Sequence, residues 1–243
     1  MKYLLFFLLP ITVSAQSDFI KYAKVEYEKT INMHKNMGDN DWVTEMKKRM
    51  PVYRKLYFDL ILSPTESYYA PGRMASEDPY KNWGDLTQDN KSYASFSDGK
   101  VIQQKQVYEE KFLIKDSLLQ IEWKIMDEMR PIAGFDCRKA LGRFNDSLYI
   151  VAFYAEEILA PGGPEGFHGL PGLILGLAFP RINTTWFATK VELTDPQLIQ
   201  KQKPFKGGKE INRDELFATV NTLVKRWKQW DDKANEILWQ LPW

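Results

Sequence analysis

Few residues of this chain have the chemistry of a reactive centre. There are two histidines, His34 and His168, and one cysteine, Cys137. Histidine is the general base or metal ligand of neutral pH, and a cysteine thiolate is a nucleophile or soft-metal ligand. His168 sits in GGPEGFHGLPGLILGL, residues 162–177, where a Gly- and Pro-rich loop enters an apolar strand. Its glycines permit positive φ or close approach of another segment, while Pro164 and Pro171 fix their own φ. One reading is a rigid corner that delivers a strand into the core. The other is a contact site made of backbone N–H groups and His168. Its candidate ligand- or partner-binding residues are Phe167, His168, Gly169, Leu170, Pro171 and Gly172.

Around His34, the run Met33-His34-Lys35-Asn36-Met37 offers thioether and imidazole donors suited to copper. The competing account is a strand end, with Met33 inward, His34 outward and Met37 over the edge of the core. No dense Met/His run follows, so no metal ligand is assigned. Asp39-Asn40-Asp41 lacks the glycine and distal glutamate of an EF-hand loop. Cys137 reads as a small buried hydrophobe on a strand, with a nucleophile as the alternative. G-x-S-x-G, H-E-x-x-H, Walker A and paired-cysteine signatures are all missing. Adjacent acids such as Glu109-Glu110 and Glu156-Glu157 point to opposite faces of a strand, so neither pair forms an acid–base couple. No catalytic residue and no cofactor is expected.

The elements that must position these residues read mostly with period two. Val25, Tyr27, Ile31 and Met33 alternate with Glu26, Glu28, Thr30 and Asn32, and Leu56, Phe58, Leu60 and Leu62 share a face. A short helix is expected within 40–50 and a long loop over 71–90. Ser97-Asp98-Gly99 and Ile132-Ala133-Gly134-Phe135 are turn signals, as is Asn145-Asp146-Ser147. In the strand after the quoted loop, Leu173, Leu175 and Leu177 alternate with Ile174, Gly176 and Ala178. Both faces are apolar, so it is expected to be buried on both sides. A helix is expected at about 212–230, started by Asn212 with Glu215 as a capping box. Its apolar stripe is Leu216, Val220, Leu223, Val224 and Trp227. The expected fold is mainly β (α+β): a curved antiparallel meander with one apolar concave surface and the C-terminal helix packed on it.

Residues 1–15 have a charged start, an apolar run and a small-residue cleavage site at Val13-Ser14-Ala15, the pattern of a secretory signal peptide. Residues 16–243 then form one domain. No cysteine follows the cleavage site for a lipid anchor, and no later segment is long and apolar enough to span a bilayer. Removing Lys2 leaves 33 − 1 = 32 basic residues against 32 acidic ones. That balance argues against nucleic acid as a partner. The expected location is periplasmic or extracellular.

The hexapeptide Gly169-Leu170-Pro171-Gly172-Leu173-Ile174, its approach GGPEGFH and the upstream segment AGFDCRKA (133–140) resemble the GLPGLI family of secreted Bacteroidota proteins. The resemblance spans residues 110–193 most strongly. It implies a signal peptide, a β-rich periplasmic domain and proximity to outer-membrane receptors of the TonB-dependent type. It also makes Asp-Ser-Leu an O-glycosylation signal, so Ser117 and Ser147 become candidate sugar sites. It brings no catalytic residue. The function expected is a non-enzymatic periplasmic binding or accessory protein of the cell envelope. Its partner is an outer-membrane receptor, another envelope protein or a small apolar ligand. Contact runs through an aromatic-lined sheet face, the 162–172 loop or the tail with Trp239 and Trp243. The alternatives are a copper-binding protein and an enzyme using Cys137 or His168.

Overall fold

The computed structural model describes residues 19–38, 40–73, 89–107, 109–143, 148–202 and 205–227. Residues 1–15, Ser147, Trp239, Trp243 and most of the expected 71–90 loop lie outside the described residues. The strands are β1 (Ala23–Asn32), β2 (Tyr53–Leu62), β3 (Glu66–Pro71), β4 (Lys91–Ser95), β5 (Lys100–Val107) and β6 (Glu110–Ser117). They continue with β7 (Glu122–Ile132), β8 (Phe135–Arg143), β9 (Tyr149–Ala155), β10 (Leu173–Phe179), β11 (Thr184–Leu193) and β12 (Lys209–Ile211). The helices are α1 (Met33–Asn36), α2 (Asp41–Lys47), α3 (Gln197–Gln200) and α4 (Arg213–Trp227).

All twelve strands join one sheet in the order β12-β6-β5-β4-β3-β2-β1-β11-β10-β9-β8-β7. Two meanders, β1–β6 and β7–β11, meet where β1 pairs with β11. Every neighbouring pair is antiparallel except β12 with β6, which is parallel and makes the sheet mixed. A three-residue strand arriving from a distant part of the chain leaves no hairpin signal, which is why period-two reading misses it.

Two of the three expected turns are seen, and Asn145-Asp146-Ser147 lies outside the described residues. Gly99 takes φ 64° between β4 and β5, and Ala133 and Gly134 take φ 49° and 89° between β7 and β8. Positive φ at both central residues matches the twist of the flanking strands. β10 is buried along nearly its whole length on both faces, as its two-sided apolar sequence requires.

The sheet is strongly curled but not closed. Only Leu118–Ile121 link β6 to β7, so Ser117 and Glu122 lie within about 19 Å of each other, five Cα steps. Ten strand spacings separate β6 from β7 in the sheet order, about 48 Å if it were flat. β6 and β7 must therefore face each other across a gap. Trp186 of β11 donates through Nε1 to the Tyr69 hydroxyl of β3 at 3.2 Å, three strands away, which needs the same curl.

The concave side is filled by the chain itself. Tyr27, Leu60, Phe153, Phe167, Leu173, Phe179 and Trp186 belong to one buried cluster. The β9–β10 connection, residues 156–172, lies in it as a plug rather than leaving an open apolar surface. Helix α4 begins at the expected capping box: Glu215 N donates to Asn212 Oδ1 at 2.8 Å and Asn212 N to Glu215 Oε2 at 2.9 Å. Its Leu216 and Val220 pack on Val107, Phe112 and Ile114 of β5 and β6. The expected end of this helix, residues 228–230, lies outside the described residues. Among the described residues, no helix is long and apolar enough to cross a membrane.

Candidate functional site

The plug meets β4 and β5 at Pro164–Gly166. Glu165 there is 2% exposed and sits in the left-handed region, φ 57° and ψ 11°. That conformation costs a non-glycine residue roughly 1–2 kcal/mol. Side chains of the neighbouring strands help hold it. Asn90 Nδ2 donates to Glu165 Oε2 at 3.0 Å, and Gln103 Nε2 donates to the Glu165 carbonyl at 3.2 Å. The next residue must be glycine. A Cβ on Gly166 would lie 2.8 Å from Ser92 Oγ, and its φ is 87°. The corner therefore rests face-down on β4 and β5.

Beside it is a cavity lined by Val101, Gln103, Leu118, Leu119, Glu165, Gly166, Phe167 and Arg213. It encloses about 240 Å³ of open space including its mouth, enough inside for a water-sized group. Its floor is β5, its roof the plug, and its third wall the Leu118–Leu119 link across the gap. Arg213, the first residue of α4, supplies the cation. Its backbone N–H donates to Asp116 Oδ2 at 3.0 Å and its Nη2 to the Ser117 carbonyl at 3.2 Å. Among the described residues its buried Nε has no hydrogen-bond partner, and the same holds for Ser92 Oγ and Asn90 Oδ1.

The electrostatics around this corner are unusual for a sheet interior. Lys105 is 2% exposed and faces inward on β5. Burial pulls its ammonium down to about 7; Arg213 and Lys29 push the same way, and Glu165 opposes them. Lys29, buried on β1, lies 5.2 Å from the Trp186 ring centroid and 5.9 Å from that of Phe58. Cation–π attraction partly replaces the water it lost.

The residues singled out from sequence fall in several places. Phe167, Leu170 and Gly172 are buried, His168 is half-buried, and Gly169 and Pro171 face solvent. His168 bridges β7 and the end of β4. Its ring is 5.9 Å from Phe96 beyond β4, and its carbonyl accepts from Trp123 Nε1 of β7 at 3.0 Å. Burial lowers the His168 pKa against a weaker opposing hydrogen bond to Gly166. Cys137 is fully buried and its thiol is pushed up to about 12, the reverse of an activated nucleophile. Met33 is buried in the first turn of α1, and His34 Nε2 lies 3.1 Å from the Met50 carbonyl. The local structure is thus a one-turn helix, not the expected strand end. Among the described residues no three His, Cys, Asp or Glu side chains are grouped closely enough to hold a metal ion. Ser117 is exposed at the end of β6, next to Asp116 and the start of α4.

Sequence reasoning passed over Lys29, Lys105, Glu165 and Arg213. The signal was there for the two lysines. Lys29 falls in register with Val25, Tyr27 and Ile31, and Lys105 with Val101, Gln103 and Val107, so each lysine lies on an inward face. A charge breaking an apolar alternation is the mark of a buried polar site.

No family model matches this sequence, and no curated protein matches it. A solved structure of PNGF-II in space group P21 shares the fold, with a TM-score of 0.50 and 16% identity over 79% of this chain. The chain spans 31% of that PNGF-II chain. PNGF-II in space group C2 is similar at a TM-score of 0.49 and 14% identity, covering 90% of this chain and 33% of that one. An uncharacterized conserved protein from Thermus thermophilus gives 0.41 and 7% identity, covering 81% of this chain and 93% of that one.

Proposed function

We propose that this chain is a secreted, non-enzymatic binding or accessory protein of the cell envelope, and that one small polar end of its ligand enters the cavity under the plug. The cavity carries the proposal through the chemistry of its wall. Arg213, Gln103 and the plug backbone can orient one small polar group, with Val101, Leu118, Leu119 and Phe167 as its apolar surround. That mixture suits recognition. The wall contains no nucleophile, and Cys137 lies elsewhere, buried and protonated. The ligand is a small molecule with a polar head; an extended lipid is disfavoured because the plug already fills the apolar concave face. The signal-peptide pattern and the GLPGLI resemblance support a periplasmic location beside a TonB-dependent outer-membrane receptor.

Native mass spectrometry on protein purified gently from its own cell envelope tests this. The wild-type chain is expected to carry a defined extra mass, and an Arg213→Met variant of unchanged melting temperature is expected to lose it. A bare wild-type chain, or a mass retained equally by the variant, overturns the cavity as the binding site.

A further inference from the structure

The end of the sheet where β1 passes to β2 has a chemistry of its own. Residues 33–52 form a cap held from below. Met33 N donates to the Val52 carbonyl at 2.9 Å, and Asn36 Nδ2 donates to the Ile182 carbonyl at 3.0 Å in the β10–β11 turn. Asn183 Nδ2 donates to Asn36 Oδ1 at 2.9 Å. Met33, Val43 and Met50 are the buried anchors of the cap. Large apolar groups are exposed in and next to the cap instead: Trp42 of α2 at 68%, Val52 at 44% and Tyr53, the first residue of β2, at 57%.

Charge is also concentrated here. Residues 35–55 hold six basic side chains, Lys35, Lys47, Lys48, Arg49, Arg54 and Lys55, against Asp39, Asp41 and Glu45. The rest of the chain has 33 − 6 = 27 basic and 32 − 3 = 29 acidic residues, so the excess is local. Arg54 is buried and Lys55 pairs with Glu28 of β1 at 2.9 Å, so the surface excess is smaller than this count, while Lys48 pairs with Glu45 at 2.7 Å within it. Arg181, exposed on the adjoining β10–β11 turn, adds another positive charge.

We propose that this cap docks on the surface of an anionic phospholipid bilayer. Trp and Tyr rings, apolar in body and polar at one edge, favour the headgroup level of a membrane. A basic excess beside them is drawn to negative lipid. The cap is already folded and anchored, so no ordering of this segment is needed on contact. Trp42, Val52 and Tyr53 enter the headgroup layer, and Lys48, Arg49 and Lys55 lie over lipid phosphates. This docking is independent of the cavity and leaves it accessible.

Co-sedimentation of the full chain with phosphatidylcholine vesicles, with and without phosphatidylglycerol, tests the proposal. Binding is expected only when phosphatidylglycerol is present and is expected to weaken at high salt. It is expected to fall about tenfold or more in a Lys48→Gln/Arg49→Gln variant and in a Trp42→Ala/Tyr53→Ala variant. All four side chains are exposed, so melting temperatures should stay within a few degrees. No binding, equal binding to both vesicle types, or binding unaffected by either variant overturns it. Capture of an acidic protein partner without vesicle binding would do the same.

Discussion

Where β1, β2 and β8–β11 face inward, the buried side chains include Val25, Leu60, Ala152, Leu177 and Trp186. Where β4 and β5 face inward they include Ser92, Gln103 and Lys105, with Asn90 just before β4. One curled sheet thus encloses two kinds of interior. The apolar side is held by area removed from water and by close packing, which are indifferent to pH. The polar side depends on each donor finding its acceptor, because a net hydrogen bond contributes only about 1 kcal/mol while an unmade one costs roughly 1–3 kcal/mol. The plug joins the two, with Phe167 on the apolar side, its ring 5.4 Å from that of Phe179, and Glu165 on the polar side. Packing fixes where the plug lies, and the polar contacts leave groups unpaired at the cavity.

The contrast is broken or sharpened by substitution. The largest effect is expected from Gly172→Ala on the apolar side. The new Cβ would lie 2.2 Å from the Ala155 carbonyl oxygen at a backbone φ of 148°, with only backbone to yield. A loss above about 3 kcal/mol is expected in denaturant titration, or no soluble protein at all. A cost below about 1 kcal/mol would mean that this side yields as readily as the other.

A smaller effect, confined to the polar side, is expected from pH. The Lys105 ammonium titrates at about 7 in the folded chain, against 10.5 for an unperturbed lysine. Between those values the unfolded chain binds the extra proton, so stability rises with pH across that window. Below about pH 7 both states are charged and the burial penalty is fully present. The melting temperature is expected to climb by about 5 °C between about pH 7 and about pH 9.5 relative to a Lys105→Met variant. Parallel curves for the two proteins would remove the pH-sensitive half of the comparison.

Ser92→Ala is expected to do least. It deletes a buried hydroxyl without a hydrogen-bond partner among the described residues, so stability should change by less than about 0.5 kcal/mol or rise by up to about 1 kcal/mol. A loss above about 1 kcal/mol would mean that a bound water satisfies the hydroxyl and that the polar side is better paired than its direct contacts show.

These two sides were unequally legible in the sequence. Strand alternation in 23–32 and 53–62, the positive-φ turns at Gly99 and Gly134, the capping box at Asn212 and the doubly buried strand at 173–179 are local, and each carries its own signature. The cavity is not local. It needs β5, the plug and the start of α4 to converge across 62 and 97 residues of sequence, as the Gln103–Glu165 and Arg213–Asp116 contacts do. Nothing in the spacing of Gln103, Glu165 and Arg213 announces that. The curl that brings them together is readable only after the strand order is known, from the shortness of the Leu118–Ile121 link. The glycine-rich loop was legible as a corner, but the acid at its tip was not, because Pro-Glu-Gly looks like any exposed turn.

The seam between the two meanders has a consequence for how the chain comes to be made. β2 can pair with β1 as soon as residues 53–62 exist, but the other side of β1 waits for β11, with Ala23 finally matched to Leu193. A chain emerging from its N-terminus therefore carries an open strand edge for most of its synthesis. Such an edge is a template for aggregation, and pairing over so long a separation is slow to form. The residues guarding it can be named. On the outward face of β1, Lys24, Glu26 and Glu28 alternate with the apolar inward set. They would place charge in front of any stray strand until the right one arrives.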